Sequence, residues 1–191
     1  MKINTLLIII CTAFTIISCN NKVQTPKPHG FLRIDVPEHN YVEYNNHETF
    51  KFLRSTASTI EKDNEYDSQK YWINIVYPSL NAKIHLSYKR INNNFRNLCD
   101  DSHKIAYKHY IKAEAIKEVE YQNPKNNVYG ILYQIKGNTA SSVQFFATDS
   151  IKHFLRGSLY FNCKPNKDSL RPLIKYINKD IQVLVESIKW E

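Results

Sequence analysis

Glycine is scarce: the 191-residue chain has four, Gly30, Gly130, Gly137 and Gly157. No phosphate-cradling loop or dinucleotide fingerprint can be written with them, and no Gly-x-Ser-x-Gly nucleophile elbow is present. Of the four cysteines, Cys11 and Cys19 fall near the N-terminus, leaving Cys99 and Cys163 for a fold. Their spacing carries no motif, so a disulfide and two separate thiols both stay open. The seven histidines are scattered. His103 and His109 fall on different faces of a helix, and His39 and His47 sit in a loop with no thiolate near, so no convergent zinc set emerges. No internal repeat is visible. These absences lead us to expect no catalytic residue, no cofactor and no metal.

The one long apolar run, Leu6 to Ile17, is shorter than the roughly twenty residues that a spanning helix needs. Behind Met1-Lys2 it suits a secretory signal. It ends in Ile16-Ile17-Ser18-Cys19, which looks like a bacterial lipobox, with cleavage between Ser18 and Cys19 and acyl chains on Cys19. An ordinary signal peptide with Cys19 as a free thiol is the alternative. Each buried methylene of an acyl chain adds roughly 0.8 kcal/mol, so more than one chain anchors stably. The expected organisation is therefore a lipoprotein signal peptide over 1–18, a lipidated flexible tether over 19–29, and one domain over 30–191. Asn20 to His29 is polar with two prolines, as an extended tether should be.

The net charge is +8, and only Lys2 is lost with the signal. On an exported protein this points to lipid headgroups, polysaccharide or an acidic protein face rather than nucleic acid. A composition rich in Lys, Asn and Ile explains it equally well.

Three β-rich runs, Val128 to Lys136, Ala140 to Thr148 and His153 to Phe161, are separated by Gly137-Asn138-Thr139 and Asp149-Ser150. They read as an antiparallel meander. Neither face of the middle run is purely polar, so that strand should be covered on both sides. Upstream, Gly30 to Pro37 alternates and reads as a first strand, Phe50 to Arg54 as a second, and Glu61 to Asp67 as a charged loop. Tyr71 to Tyr77 and Ala82 to Tyr88 form a hairpin, and Ala115 to Tyr121 alternates again. Helical spacing marks Phe95 to Lys112, with Asn92-Asn93-Asn94 as cap candidates, and Ser169 to Ile188, with Pro172 in its first turn. The sum is a single α+β domain: an antiparallel sheet of six or seven strands with two helices packed mainly on one face.

Ser141-Ser142, Asp149 and His153 can be drawn as a catalytic triad, but paired strand serines more often serve close packing, and a triad is defined by geometry. Asp149-Ser150-Ile151 and Asp168-Ser169-Leu170 resemble an O-glycosylation signal of Bacteroidetes; a turn and a helix cap explain both. Arg156 beside Gly157 is a candidate interface pair, because glycine lets another backbone approach and arginine is enriched at hot spots. Tyr71, Trp72 and Tyr77 suggest an apolar pocket.

Several segments together carry a family resemblance: Gly30-Phe31-Leu32-Arg33-Ile34-Asp35-Val36-Pro37, Asn74-Ile75-Val76-Tyr77-Pro78, Ala82 to Tyr88, Tyr107-Lys108-His109, Gly137 to Phe145, Phe154 to Phe161 and Asp168-Ser169-Leu170. In this order behind a lipobox, they resemble the gliding-motility lipoprotein GldD family of Bacteroidetes. The resemblance implies a non-enzymatic envelope lipoprotein needed for gliding, with protein components of the gliding and type IX secretion machinery as partners. It implies a lipid anchor at Cys19 in the outer membrane. The tether lacks acidic residues after Cys19, which favours the periplasmic face. The alternative is a periplasmic module that binds a lipid, glycan or cell-wall fragment.

Overall fold

The computed structural model describes residues 34–63 and 70–191. The meander is present as expected: β7 (Val128–Gly137), β8 (Ser141–Thr148) and β9 (His153–Phe161) pair antiparallel in sequence. The upstream hairpin, β4 (Ile73–Tyr77) and β5 (Ala82–Arg90), turns through Pro78–Leu80 and a left-handed Asn81. With β3 (Thr59–Lys62) and β6 (Ala113–Asn123) they form a seven-stranded antiparallel sheet in the order β3-β4-β5-β9-β8-β7-β6. A second sheet, β1-β2-β10, joins β1 (Tyr41–Asn45), β2 (Phe50–Ser55) and β10 (Lys189–Trp190). Two α-helices complete the described residues, α1 (Phe95–Tyr107) and α2 (Lys167–Ser187). The α+β class and the sheet size are as read from the sequence.

Several boundaries differ. Residues 34–40 are irregular rather than a strand, and the first strand is β1, in a stretch that reads as merely polar. The signal is the turn after it: the Asn46 side-chain oxygen accepts the N–H groups of Glu48, Thr49 and Phe50 and folds β1 back on β2. Glu61 and Lys62 belong to β3 rather than to a loop. Residues 64–67 of that expected loop, the expected signal and tether, and 30–33 lie outside the described residues. Helix α1 stops at Tyr107 and continues to Lys112 as a 3-10 turn. Asn94 gives α1 no side-chain cap. Helix α2 begins earlier than expected because Asn166 caps it, its side chain accepting from the N–H of Asp168 and Ser169. Pro172 therefore lies inside the helix instead of in its first turn.

The two helices do not share a face. On β8, Val143, Phe145 and Ala147 belong to the apolar cluster that contains Leu173, Ile177, Ile181 and Leu184 of α2. Phe146 belongs with Leu98 and Ala106 of α1 in a separate cluster. Alternate residues of a strand point to opposite faces, so α1 and α2 cover the sheet from opposite sides. Every residue of β8 is accordingly buried. The small sheet closes over α2 with Phe50 and Phe52, in the same cluster as the large sheet's Ile75, Ile84 and Leu159.

Gly157 on β9 shows how tightly the α2 face is filled. It pairs with Phe145 of β8, and a Cβ built on it would lie 2.2 Å from Phe145 Cε1 and 3.0 Å from Leu86 Cδ2. Forcing a methyl into so full a space is expected to cost about 1–3 kcal/mol. Gly157→Ala should thus lower the urea midpoint and Tm clearly, while Ala140→Gly, on an exposed residue, should leave them nearly unchanged.

Candidate functional site

The side-chain cluster with the most concentrated polar chemistry surrounds Asp180, on the buried side of α2 and only 3% exposed. The Tyr41 hydroxyl donates to its Oδ1 at 3.0 Å and the Tyr77 hydroxyl to its Oδ2 at 3.1 Å. His39 Nδ1 hydrogen-bonds Oδ1 at 2.7 Å, and the His39 ring stacks on Tyr176 with centroids 4.4 Å apart. The helical period explains the pairing within α2, since Tyr176 and Asp180 are one turn apart on one face. One carboxyl thus ties together the chain entering the domain, β1, β4 and α2.

The two phenols serve the cluster as hydrogen-bond donors. Burial, then hydrogen bonding to Asp180, pushes the Tyr41 phenol up to about 12. Burial followed by the Asp180 charge raises Tyr77 further still. Both phenols hold their protons at neutral pH, as donors fixing a carboxyl and not as bases or nucleophiles.

The serine end of the drawn triad lies far from Asp149, and Asp149 meets His153 through its backbone N–H rather than its ring. Ser141 and Asp149 stand at opposite ends of β8, roughly 25 Å apart at the rise of an extended strand. Asp149 Oδ1 accepts the N–H groups of Ile151, Lys152 and His153 and closes the β8–β9 turn. His153 hydrogen-bonds the Tyr88 hydroxyl through Nδ1 at 2.9 Å and stacks on Trp190. Ser150 and Ser169 are exposed. Cys99 is half-buried, Cys163 is exposed, and both are free thiols. Among the described residues no three His, Cys, Asp or Glu side chains gather as a metal site.

Arg156 points to the α1 side, where its Nη2 donates to Gln144 Oε1 at 2.7 Å. It lines a recess of about 380 Å³ with Ser87, Lys89, Asp101 and Lys104. Gly157 is buried; the atoms that require a glycine are those of Phe145 and Leu86, not an approaching partner. The three aromatics are not gathered around one pocket: Tyr77 is held by Asp180, Trp72 Nε1 donates to the Tyr88 carbonyl at 3.2 Å while its ring borders the Arg156 recess, and Tyr71 packs edge-on against Tyr88. Ser18 and Cys19 lie outside the described residues.

A family model described as the gliding motility lipoprotein GldD matches the chain over residues 21–190. The chain belongs to the GldD family. Membership makes it a gliding motility lipoprotein, anchored to a membrane of the cell envelope and involved with the motility apparatus. No curated protein matches it. A solution structure of cyanobacterial PsbP (CyanoP) from Synechocystis sp. PCC 6803 has a TM-score of 0.50 and 9% identity, covering 82% of this chain and 95% of that one. At that identity the likeness concerns the fold alone. In this GldD-family chain no described helix is long and apolar enough to cross a membrane.

Two outcomes follow from these side chains. Tyr77→Phe removes one bond to a buried carboxyl and should destabilise the domain by about 1.5–3 kcal/mol. A double-mutant cycle with Asp180→Asn in urea should then give coupling of about 1 kcal/mol or more.

The second concerns pH. Burial holds the His153 and His109 imidazoles below their ordinary 6.5. The unfolded chain therefore binds more protons just below 6.5, and stability should fall as the pH drops through that window. Burial opposes ionisation of Asp149, but the three backbone donors outweigh it and hold the carboxyl below its ordinary 3.8, so its contribution is lost only from 3.8 downward. Urea melts across pH should show both steps, and His153→Gln together with His109→Gln should flatten the upper one.

Proposed function

We propose that this chain is a non-enzymatic, lipid-anchored envelope protein that supports assembly or stability of the gliding and type IX secretion machinery. The anchor is Cys19, and the domain stands on the periplasmic face of the outer membrane. The family match over residues 21–190 carries this reading. The Asp180 cluster supports it: the polar chemistry of the domain is spent on fixing the incoming chain to the core, which suits a tethered scaffold. The partners in this reading are protein components of that machinery, and Arg156 in the α1 recess is the candidate contact residue.

Deletion of the gene, scored for colony spreading and for the secreted proteome in one strain, tests the role. Loss of both, restored by the wild type but not by Cys19→Ala, is the expected result. Spreading lost with secretion intact would move the protein to the motor or adhesin track, and no change in either would remove the machinery role.

A further inference from the structure

One end of the domain combines exposed cations with the most exposed apolar side chains. Among the described large hydrophobic residues, Ile111 at 90% and Tyr110 at 73% head the exposure range. Both sit on the 3-10 turn Lys108–Lys112 that follows α1. That turn leads directly into β6, where Ala113 pairs with Gly137 at the end of β7. The approach is close: a Cβ on Gly137 would lie 2.5 Å from the Lys112 carbonyl oxygen, and Gly137 itself has φ +125°. In the β7–β8 turn, Asn138 Oδ1 accepts the backbone N–H of Lys167 at 2.8 Å and brings the start of α2 alongside.

Between α2 and this end of the β7–β8 hairpin runs a groove of about 450 Å³, with Ile174 and Val143 among its apolar lining and Lys136, Lys167, Arg171 and Lys175 as its cations. Glu114 pairs with Lys167, and Asp168 pairs with Arg171 at 2.6 Å. With Lys112 included, cations outnumber these two acids. The incoming chain reaches the same surface. Val36, 40% exposed, lines a neighbouring recess with Pro172 and Lys175, so Lys175 borders both.

Buried apolar surface and clustered lysines are the two terms that hold a peripheral protein on an anionic bilayer. Tyrosine favours the headgroup level, and lysine stems lie along apolar surface while their ammonium groups reach phosphate. We propose that this end of the domain docks on an anionic phospholipid surface, with Tyr110 and Ile111 at headgroup level and Lys112, Lys136, Arg171 and Lys175 on lipid phosphates. The inference rests on the lipid-anchored reading, which keeps the surface close: Cys19 precedes Val36 by no more than roughly 60 Å of fully extended chain. An acyl anchor alone leaves orientation free, and this contact sets it.

The test uses the full chain as purified from its own cells, in vesicles of phosphatidylglycerol and phosphatidylethanolamine, and in vesicles of phosphatidylcholine alone. Ile111→Trp places an indole at the tip, and brominated lipids report its depth against the wild-type background of Trp72 and Trp190. The indole emission should fall by about two-fold or more in the anionic vesicles, change little in the neutral ones, and recover as salt is raised. The triple variant Lys112→Glu, Lys136→Glu, Lys175→Glu should lose the quenching yet still float with the vesicles and keep its circular dichroism and Tm.

An indole unquenched in anionic vesicles, with the protein still floating, would overturn the docking surface and leave the anchor standing. Equal quenching in both lipids that survives charge reversal would overturn it too. Flotation with anionic vesicles alone would support docking and refute the anchor.

Discussion

A strand buried on both faces organises this molecule. All of β8 is buried, and its side chains alternate between two apolar clusters that do not merge. A sheet with apolar residues on both faces must be covered twice, since every exposed large side chain forgoes about 1.5–3 kcal/mol. The chain meets that requirement with α1 on one side and α2 on the other. The α2 side holds the larger cluster, extended by Phe50 and Phe52 of the small sheet. The α1 side holds the smaller cluster and the recess that Arg156 lines beside Gln144.

The covering of the α2 side depends on polar ties that sit within it. Asp180 is buried and its carboxyl is satisfied by Tyr41, Tyr77 and His39. Removing one partner of such a set leaves a buried polar group exposed to a low dielectric, which is why the remaining members matter more than each bond alone suggests. The C-terminal end of α2 is fastened comparably. Ser187 Oγ accepts the Leu53 N–H and donates to the Leu184 carbonyl, while Asn123 Nδ2 donates to the Glu186 carbonyl. The helix is thus fixed to β2 on one side and to β6 on the other.

The meander was legible because its turns carry their own chemistry: Asp149 closes one, and Gly137 with its positive φ closes the other. The β4–β5 hairpin was legible for the same reason. The placement of the helices was not, because periodicity shows which face of a helix is apolar but not which side of a sheet receives it. The apolar residues on both faces of β8 did contain the answer, since one face would have been left bare by two helices on the other. Asp168-Ser169 reads as the cap of α2 from the sequence, but Asn166 also precedes the apolar stripe and its side chain takes the role. The Asp180 cluster had no local signal at all: His39, Tyr41, Tyr77 and Asp180 are brought together only by tertiary packing. Gly157 marks a close approach, but by the Phe145 side chain of the neighbouring strand and not by the backbone of a partner.

The position of the Asp180 cluster along the chain matters for a protein held at its N-terminal side, as the lipid-anchored reading requires. Among the described residues β1 is at the edge of the small sheet and pairs with β2 alone. A pull at Tyr41 directed across the strands would open that ladder one bond at a time, because its bonds lie along that direction and are then loaded singly. His39 and Tyr41, where that ladder begins, tie its first residues to Asp180 and so share the load. From there it divides between α2 and, through Tyr77, β4 of the large sheet. Tension then acts on the covered core as well as on an edge strand. A cluster with poor catalytic chemistry is, by that account, well made for an anchored domain.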